Sequence, residues 1–169
     1  GDRRYLDPHL ATSAIDQALK QIEVEPGEEN LRRRCSIVLR SAAIRNVHDV
    51  VLALGLGANG VCPYVVVEVI CVDDYPSDVA NLCSALRKGI EKVISTIGIH
   101  EVRGYARQFS SIGIKPELAE IFQTEAFAAS ESGGKGFAEL DADTDARQKI
   151  LAGDEESKPA KTFRFYPKV

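Results

Sequence analysis

The 169-residue chain contains no methionine, and its four cysteines form no C-x-x-C pair. No apolar run approaches the roughly 18 residues that a membrane-spanning helix needs. Basic residues are too few for a nucleic-acid-binding protein, because the net charge is −4 and the 21 lysines and arginines are not confined to one stretch. The sequence therefore predicts no membrane span, no nucleic-acid partner and no cysteine-based metal site.

The start of the chain also lacks features. It opens on Gly1-Asp2-Arg3-Arg4 without an initiator methionine, and residues 1–8 show no secretory signal pattern. We expect a fragment of a longer protein, located in the cytoplasm. Cys35 and Cys62 lie in apolar runs, which predicts buried free thiols in a reducing compartment.

What is present fits one globular domain. Hydrophobic residues make up 44% of the chain and charged residues 27%, close to the average for globular proteins. Folding at this length buries about two-thirds of the unfolded chain's surface, enough for a core. Residues 1–152 are expected to form the module. Residues 153–169 are expected to be a charged linker and an aromatic tail, with Phe163, Phe165 and Tyr166 docking as an edge strand.

The hydrophobic pattern predicts an α/β order of elements. Helices are predicted at about 9–24, 44–55, 77–96, 102–110, 116–123 and 137–152, and strands at 35–39 and 60–64. The apolar run 65–72 fits either structure, and only helices and loops are predicted after residue 98. In the long helix the apolar face is formed by Val79, Leu82, Leu86, Ile90, Val93, Ile94 and Ile97. Ser77 is predicted to cap its start and Gly98 its end.

Residues 55–60 read GLGANG, a literal G-x-G-x-x-G. In dinucleotide-binding folds this motif follows a strand and begins a helix, whose N-terminus holds the phosphates. Here the predicted order is reversed, with a helix before the motif and a strand after it. We therefore interpret the segment as a helix C-cap, with Gly55 or Gly57 in the left-handed conformation.

The other polar clusters have simpler interpretations. The glycine-rich residues 132–136 could bind an anion through main-chain amides, but they lack Walker spacing and are interpreted as a mobile loop. The histidines stand apart in the sequence; they are His9, His48 and His100. Three carboxylates lie before or at the start of the long helix: Asp73, Asp74 and Asp78. We interpret them as stabilising the helix dipole and not as a cation site. No catalytic residue, cofactor ligand or metal ligand is assigned.

Residues 41–64, SAAIRNVHDVVLALGLGANGVCPY, resemble the central-domain signature of the glutamate synthase large subunit. The shared motif positions are Ser41, Arg45, His48, Gly55, Gly57, Pro63 and Tyr64. Further family-like segments follow in the family's order; they are PHLATSAI at 8–15, RKGIEKVISTIGI at 87–99, GYARQF at 104–109, IGI at 112–114 and GGKGF at 133–137. The chain departs from the signature at Ala43, Asp49 and Cys62.

The resemblance implies an α/β module from an incomplete or degenerate (β/α)-barrel, with short parallel strands and a helical C-terminal half. It implies a structural, interdomain role in an enzyme that converts glutamine, 2-oxoglutarate and a reductant into two glutamates. The module would supply scaffold and domain contacts, and a wall of the ammonia tunnel. FMN and the iron–sulfur centre are expected only in other parts of that enzyme, so this chain alone is not expected to be catalytic.

Two partner arrangements follow from this resemblance. The expected partners are the flavin and glutaminase domains, or a second copy of the chain in a homodimer. The alternative is a stand-alone binding or assembly module that descends from the same family. A neighbouring glutaminase or flavin segment in the reading frame indicates the first arrangement, and a short gene with its own start codon indicates the second.

Overall fold

A computed structural model of the chain describes residues 5–25, 27, 29–71, 73–107, 111–124, 127–128 and 134–152. Helices predominate among these residues, with short strands between them. Their bounds are α1 Pro8–Gln21, β1 Val38–Arg40, α2 Val47–Gly55, β2 Gly60–Cys62, α3 Tyr64–Ile70, α4 Tyr75–Ile97, β3 Ser111–Ile112, α5 Pro116–Phe122, β4 Phe127–Ala128 and α6 Phe137–Leu151. Two 3-10 turns lie at Leu31–Arg33 and Val102–Tyr105.

The strands form two separate parallel pairs. Strand β1 pairs with β2, so that Leu39 lies opposite Val61, and β3 pairs with β4. Each sheet has two strands among the described residues. The predicted α/β class with short parallel strands is therefore confirmed, whereas the described strands do not make a closed barrel.

The main core lies between the β1–β2 sheet, α2 and α4. Four buried residues form its centre: Ile44, Val50, Ala53 and Ala58. Partly buried side chains pack around them: Leu39, Leu54, Val61, Leu86 and Ile90. Helix α1 packs against α2 and also against α5, where Leu118 is almost fully buried. The sheet is thus covered by helices on the face that carries Leu39.

Local sequence explains where the first helices begin. Asp7 accepts hydrogen bonds from the main-chain amides of His9 and Leu10, and Pro8 occupies the first turn of α1. Asn46 accepts a hydrogen bond from the Asp49 amide and so caps α2. These side chains satisfy amides that have no partner inside the helix.

Most predicted elements are present, with shifted ends. The helix, strand, helix, strand, helix order is confirmed, and the ambiguous run 65–72 is mostly helix α3. The segment 102–110 begins as a 3-10 turn, not as an α-helix, and residues 108–110 lie outside the described part. The prediction of no strands after residue 98 is wrong, because β3 and β4 follow it. The predicted linker and aromatic tail at 153–169 also lie outside the described residues.

Capping of α4 differs from the prediction at one end. The helix begins at Tyr75, so Ser77 lies inside its first turn and does not cap it. The preceding residue is Asp74, whose side chain makes no capping hydrogen bond. Gly98 ends the helix at φ 83°, as predicted.

The cysteine prediction is half right. All four thiols are free, but Cys35 and Cys62 are only half-buried. The buried thiol is Cys71, which follows α3, and Cys83 on α4 is exposed. Among the described residues, no helix combines the length and apolar character that crossing a bilayer requires.

Candidate functional site

Asp16 faces inward from α1, with only 3% of its side chain exposed. Three cationic groups contact its carboxylate, each at 2.7 Å: Lys20 Nζ, Arg32 Nε and Arg107 Nη2. We call Asp16, Lys20, Arg32 and Arg107 the Asp16 cluster. A buried carboxylate is tolerated only when it is paired and hydrogen-bonded, and this one has three donors.

The Asp16 carboxylate stays ionised in the folded protein. Burial raises its pKa, but hydrogen bonds from Lys20, Arg32 and Arg107 outweigh burial and lower the pKa from 3.8 to about 2. A group with this pKa neither takes nor gives a proton near neutral pH, so it cannot act as a general acid or base there. The geometry is that of a structural ion-pair network, which joins α1 to more distant segments of the chain.

Arg32 connects α1 to the loop that follows α2. Its Nη2 donates to the Gly57 carbonyl at 2.6 Å and to Asn59 Oδ1 at 3.0 Å, and Nη1 donates to the Cys35 carbonyl at 2.8 Å. Asn59 Oδ1 also accepts a hydrogen bond from the Ile37 amide at 2.9 Å. One guanidinium therefore fixes the segments that enter both β1 and β2.

Arg107 performs the same role for the C-terminal half. Its amide donates to the Gly55 carbonyl at 3.0 Å, and its Nε donates to the Phe122 carbonyl at 3.2 Å. Ser13 Oγ donates to the neighbouring Ile121 carbonyl at 2.8 Å. These two carbonyls at the C-terminal end of α5 are thereby satisfied. Arg107 adopts φ 59°, an uncommon value for a residue other than glycine.

The Gly55–Gly60 loop packs directly on this cluster. Gly57 has φ 113°, and a Cβ added to it would lie 2.7 Å from Asp16 Cγ. Both the backbone angle and the close approach require glycine here. The amide of Ala58 donates to the Ala53 carbonyl at 3.0 Å, which closes the end of α2. The predicted helix C-cap is confirmed at Gly57.

The arrangement of this loop differs from that of a dinucleotide-binding loop. The loop follows helix α2 and precedes strand β2, so it does not lead into a helix N-terminus. The Asp16 side chain fills the space beside Gly57, so a ligand cannot approach the Gly57 backbone from that side. The residues of the loop hold the fold together at this point.

The motif positions divide into two groups. Gly55 and Gly57 contact the Asp16 cluster through the hydrogen bonds given above. Tyr64, the first residue of α3, lies under the Arg40 guanidinium, with Cζ 4.1 Å from the ring centroid. Pro63 directly precedes α3. These positions shape the turns at either end of β2.

The remaining motif positions lie around the start of α2. Ser41 Oγ accepts a hydrogen bond from the Ala43 amide at 3.1 Å. Arg45 Nε lies 3.5 Å from Asp49 Oδ2, and the Arg45 amide donates to the same oxygen at 2.9 Å. His48 is exposed. None of these three side chains contacts the Asp16 cluster.

The histidines and carboxylates do not gather into a metal site in the part of the chain that the structure describes. His9 Nε2 lies 3.0 Å from the Asp49 carbonyl, a contact between α1 and α2. Asp78 lies in the first turn of α4, where its charge suits the helix dipole. Asp49, which stands where the family signature has a second histidine, is buried and accepts from Arg45.

The glycine-rich segment before α6 is packed at its described end. The Gly136 amide donates to Glu139 Oε2 and the Phe137 amide donates to Glu117 Oε1, both at 2.8 Å. Lys115 Nζ lies 2.8 Å from Glu139 Oε1. The Gly136 and Phe137 amides, which could otherwise bind an anion, therefore already donate to carboxylates of the protein. Gly134 is buried, against the mobile-loop interpretation, and residues 132–133 lie outside the described part.

Helices α3 and α4 are exposed, in contrast to the buried Asp16 cluster. No residue of either helix is buried, although α4 alone has 23 residues. We call their apolar side chains the α3–α4 surface. It includes Val69, 62% exposed, and Tyr75, 58% exposed. Beside it, α2, β2 and α4 line an open groove of about 460 Å³, with Leu54, Leu86 and Ile90 among its walls.

Sequence reasoning assigned no role to the residues of the Asp16 cluster. Arg107 appeared only inside the family-like segment 104–109, and Arg32 lies in the sequence run RRR at 32–34. No local signal pointed to Asp16, because it shares its buried face of α1 with the polar residues Thr12 and Ser13.

Comparison with known proteins agrees with the resemblance. A family model described as glutamate synthase central domain matches residues 1–115. The chain is 26% identical over 173 residues to the glutamate synthase [NADPH] large chain of Bacillus subtilis, covering 95% of this chain and 11% of that protein. It is 31% identical over 103 residues to the glutamate synthase [NADH] of Schizosaccharomyces pombe, covering 54% of this chain and 5% of that protein.

A plant relative gives a similar result. The chain is 27% identical over 156 residues to the chloroplastic ferredoxin-dependent glutamate synthase of Spinacia oleracea, covering 80% of this chain and 9% of that protein. The chain thus spans 5–11% of the length of these three relatives.

Proposed function

The chain belongs to the glutamate synthase central domain family, and we propose that it serves as a structural, interdomain module of a glutamate synthase-like enzyme. The parent reaction would convert glutamine, 2-oxoglutarate and a reductant into two glutamates. The module would supply scaffold and domain contacts, within a degenerate (β/α)-barrel completed by other parts of the enzyme. Its compartment would be the cytoplasm.

One observation carries this proposal: the contrast between the Asp16 cluster and the α3–α4 surface. The charged groups of the cluster are paired inside the module, and its only carboxylate has a pKa too low for proton transfer. The α3–α4 surface has no buried residue. Exposed apolar surface of this kind marks a contact with other protein. Flavin and glutaminase domains of the same enzyme are the partners we propose for it.

Flavin, iron–sulfur and glutaminase chemistry would lie in those other domains. The Gly55–Gly60 loop supports this division, since it leads into a strand and the Asp16 side chain lies against Gly57. The purified chain should therefore be colourless, without flavin or iron–sulfur absorbance. A stoichiometric yellow or brown chromophore in the purified chain would contradict the proposed division.

The deciding experiment uses the full open reading frame. We expect glutaminase and flavin segments in the same frame or operon, and glutamine-dependent glutamate formation by the purified product. The double variant Val69→Lys/Tyr75→Lys should lower that activity severalfold, because it charges the α3–α4 surface. The matched control is Ile15→Lys, since Ile15 is 50% exposed on α1. It should leave activity unchanged.

Two results would contradict the proposal. One is a short gene with its own start codon and no neighbouring glutamate synthase segments, which would favour a stand-alone binding or assembly module. The other is equal activity of the surface variant and the control, which would mean that no domain packs on α3 and α4.

A further inference from the structure

Asn59 and Gly60 form the one Asn-Gly pair in the sequence. The main-chain nitrogen of the residue after an asparagine can attack the side-chain amide, and a side chain on that residue hinders the attack. Glycine has no side chain, so its nitrogen has the freest approach. Asparagine is a thermolabile residue, and this one has the most reactive neighbour. The other asparagines precede leucine or valine; they are Asn30, Asn46 and Asn81.

In the folded module, both reacting groups are held by hydrogen bonds. Asn59 Oδ1 accepts from the Ile37 amide at 2.9 Å and from Arg32 Nη2 at 3.0 Å. The Gly60 amide donates to the Ile37 carbonyl at 3.2 Å, and the Asn59 amide donates to the same oxygen at 2.7 Å. The attack has to break contacts of both groups, so it requires a local opening of the loop. Asn59 is exposed, so water reaches it when the loop opens.

Packing does not require glycine at position 60. Gly60 has no positive φ, and a Cβ added to it would lie 3.6 Å from Val38 Cγ2, an ordinary contact. Gly57 differs, because its backbone angle and its close approach to Asp16 both exclude a side chain. Alanine can therefore replace Gly60 without strain, which separates the chemistry of the Asn-Gly pair from the fold of the loop.

We propose that Asn59 is a deamidation site, and that its hydrogen bonds from Arg32 and Ile37 keep it unreactive while the module is folded. The Gly60 nitrogen attacks Asn59 Cγ, the new C–N bond closes a succinimide ring, and the bond from Cγ to Nδ2 breaks. Ammonia leaves with the proton that the Gly60 amide loses. Water then opens the ring to aspartate or isoaspartate, so the reaction needs no oxidant or reductant.

The product alters the module at the loop that Arg32 holds. Isoaspartate adds one methylene to the main chain between residues 59 and 60. Gly60 is the first residue of β2 and lies opposite Val38, so the longer main chain displaces its hydrogen bond to Ile37. Deamidation therefore loosens the β1–β2 pair irreversibly, and the Asp16 cluster sets how often it occurs. This inference does not depend on the proposed function.

The first test measures deamidation of the 169-residue chain by mass spectrometry at mildly alkaline pH, both folded and in urea. In urea, Asn59 should deamidate faster than Asn81. In the folded chain, the rate at Asn59 should fall by about tenfold or more. Gly60→Ala should slow Asn59 to the rate of Asn81 in urea, with an unchanged urea midpoint of unfolding.

The second test removes the hydrogen bond from Arg32. In Arg32→Lys the charge beside Asp16 remains, but lysine lacks the forked donors of a guanidinium. Asn59 in the folded variant should deamidate about tenfold faster than in the wild type. The matched control is Lys20→Gln, since Lys20 contacts Asp16 and Gln123. Its rate at Asn59 should stay close to that of the wild type.

Equal rates at Asn59 in the folded and unfolded wild-type chain would overturn the proposal, and this comparison needs no variant. Equal acceleration by Arg32→Lys and Lys20→Gln would also overturn it, because a general loss of stability would then explain the reaction. A rate at Asn59 in urea no higher than that at Asn81 would show that the Asn-Gly pair is not a reactive site.

Discussion

The Asp16 cluster and the α3–α4 surface lie in one small module, but they complete their contacts differently. In the cluster, a nearly inaccessible carboxylate finds three cationic partners within the module. On the surface, the 23-residue helix α4 packs on the core through partly buried Leu86 and Ile90, and none of its residues is fully buried. A buried charge without a partner has a large desolvation cost, so the cluster must be paired within the module. Apolar side chains can remain half-exposed at little cost. The Asp16 cluster therefore has its partners within the module, whereas the α3–α4 surface remains exposed.

Removing the Asp16 charge should have the largest effect on this contrast. Asp16→Asn leaves Arg32 and Arg107 without their carboxylate, and breaking a buried pair costs about 3–5 kcal/mol. That is a large part of the stability of an ordinary domain, so the variant should unfold at far lower urea. The measurement is urea unfolding followed by circular dichroism.

The matched control is Asp143→Asn. Asp143 pairs with Lys135, but both side chains are at least half exposed. Exposed pairs contribute about 1 kcal/mol or less. Equal losses for the two variants would mean that the Asp16 cluster does not hold the module together.

Replacing Gly57 should have the next largest effect. Gly57→Ala strains a residue at φ 113° and drives its Cβ into Asp16. Gly98→Ala meets the same kind of backbone strain at φ 83°, but nothing lies within 4 Å of the added Cβ. Backbone strain costs about 1 kcal/mol or more in both. Overpacking should add about 1–3 kcal/mol at Gly57 alone, and similar unfolding midpoints would refute the close approach.

Acid should weaken the cluster in a defined pH window. The pKa of Asp16 is 3.8 ordinarily and about 2 in the folded protein. Its contribution, about 2 kcal/mol, is therefore fully present above pH 4 and lost as the pH falls through about 2. Glu139, whose pKa the Lys115 hydrogen bond lowers to about 2, acts in the same direction. Its side chain is 43% exposed, so solvent screens its ion pair and its contribution to stability should be smaller than that of Asp16. Urea midpoints of Glu139→Gln should retain most of the loss between pH 4 and pH 2, and a flat profile would contradict the assignment to Asp16.

The α3–α4 surface should produce the smallest and most concentration-dependent effect. In the isolated chain we expect two-fold self-association, because an isologous contact buries the same apolar patch twice. Light scattering after size exclusion should show a dimer that Val69→Lys/Tyr75→Lys dissociates. Val38→Lys, which charges an apolar residue on β1, should leave it intact.

The alternative is that residues 163–166 cover this surface. A monomer at micromolar concentration for the full chain would reject dimerisation. If only a chain ending at Ala152 associates, the tail is the cover.

The regular elements were largely predictable from local pattern. The apolar spacing of residues 77–97 and the glycine at its end indicate a long helix in any setting. The turn at Gly57 followed from the order of helix and strand. Ser77 failed as a cap because the helix extends two residues further upstream, to Tyr75. The short strands β3 and β4 were missed because two-residue strands have no periodicity to detect.

The Asp16 cluster could not be predicted in the same way. Arg107 lies 91 residues from Asp16 and 75 residues from Arg32 along the chain, so only the fold brings them together. The partial burial of Cys35 and Cys62 was missed for a related reason. An apolar strand favours a sheet that is covered on both faces, whereas among the described residues helices cover the β1–β2 sheet on the face that carries Leu39. Local sequence patterns indicate local structure, but they do not show which distant residues pair in the fold.

Thiol labelling tests most directly whether the α3–α4 surface is covered in a parent enzyme. Cys83 is exposed on α4, whereas Cys71 is buried and its thiol pKa is raised by burial and by nearby Asp78 and Cys83. Alkylation followed by mass spectrometry should modify Cys83 rapidly and Cys71 slowly in the isolated chain. In the full-length polypeptide, Cys83 should become at least tenfold slower. Equal Cys83 rates in both proteins would show that no domain packs on α4, and the proposed interdomain role would be wrong.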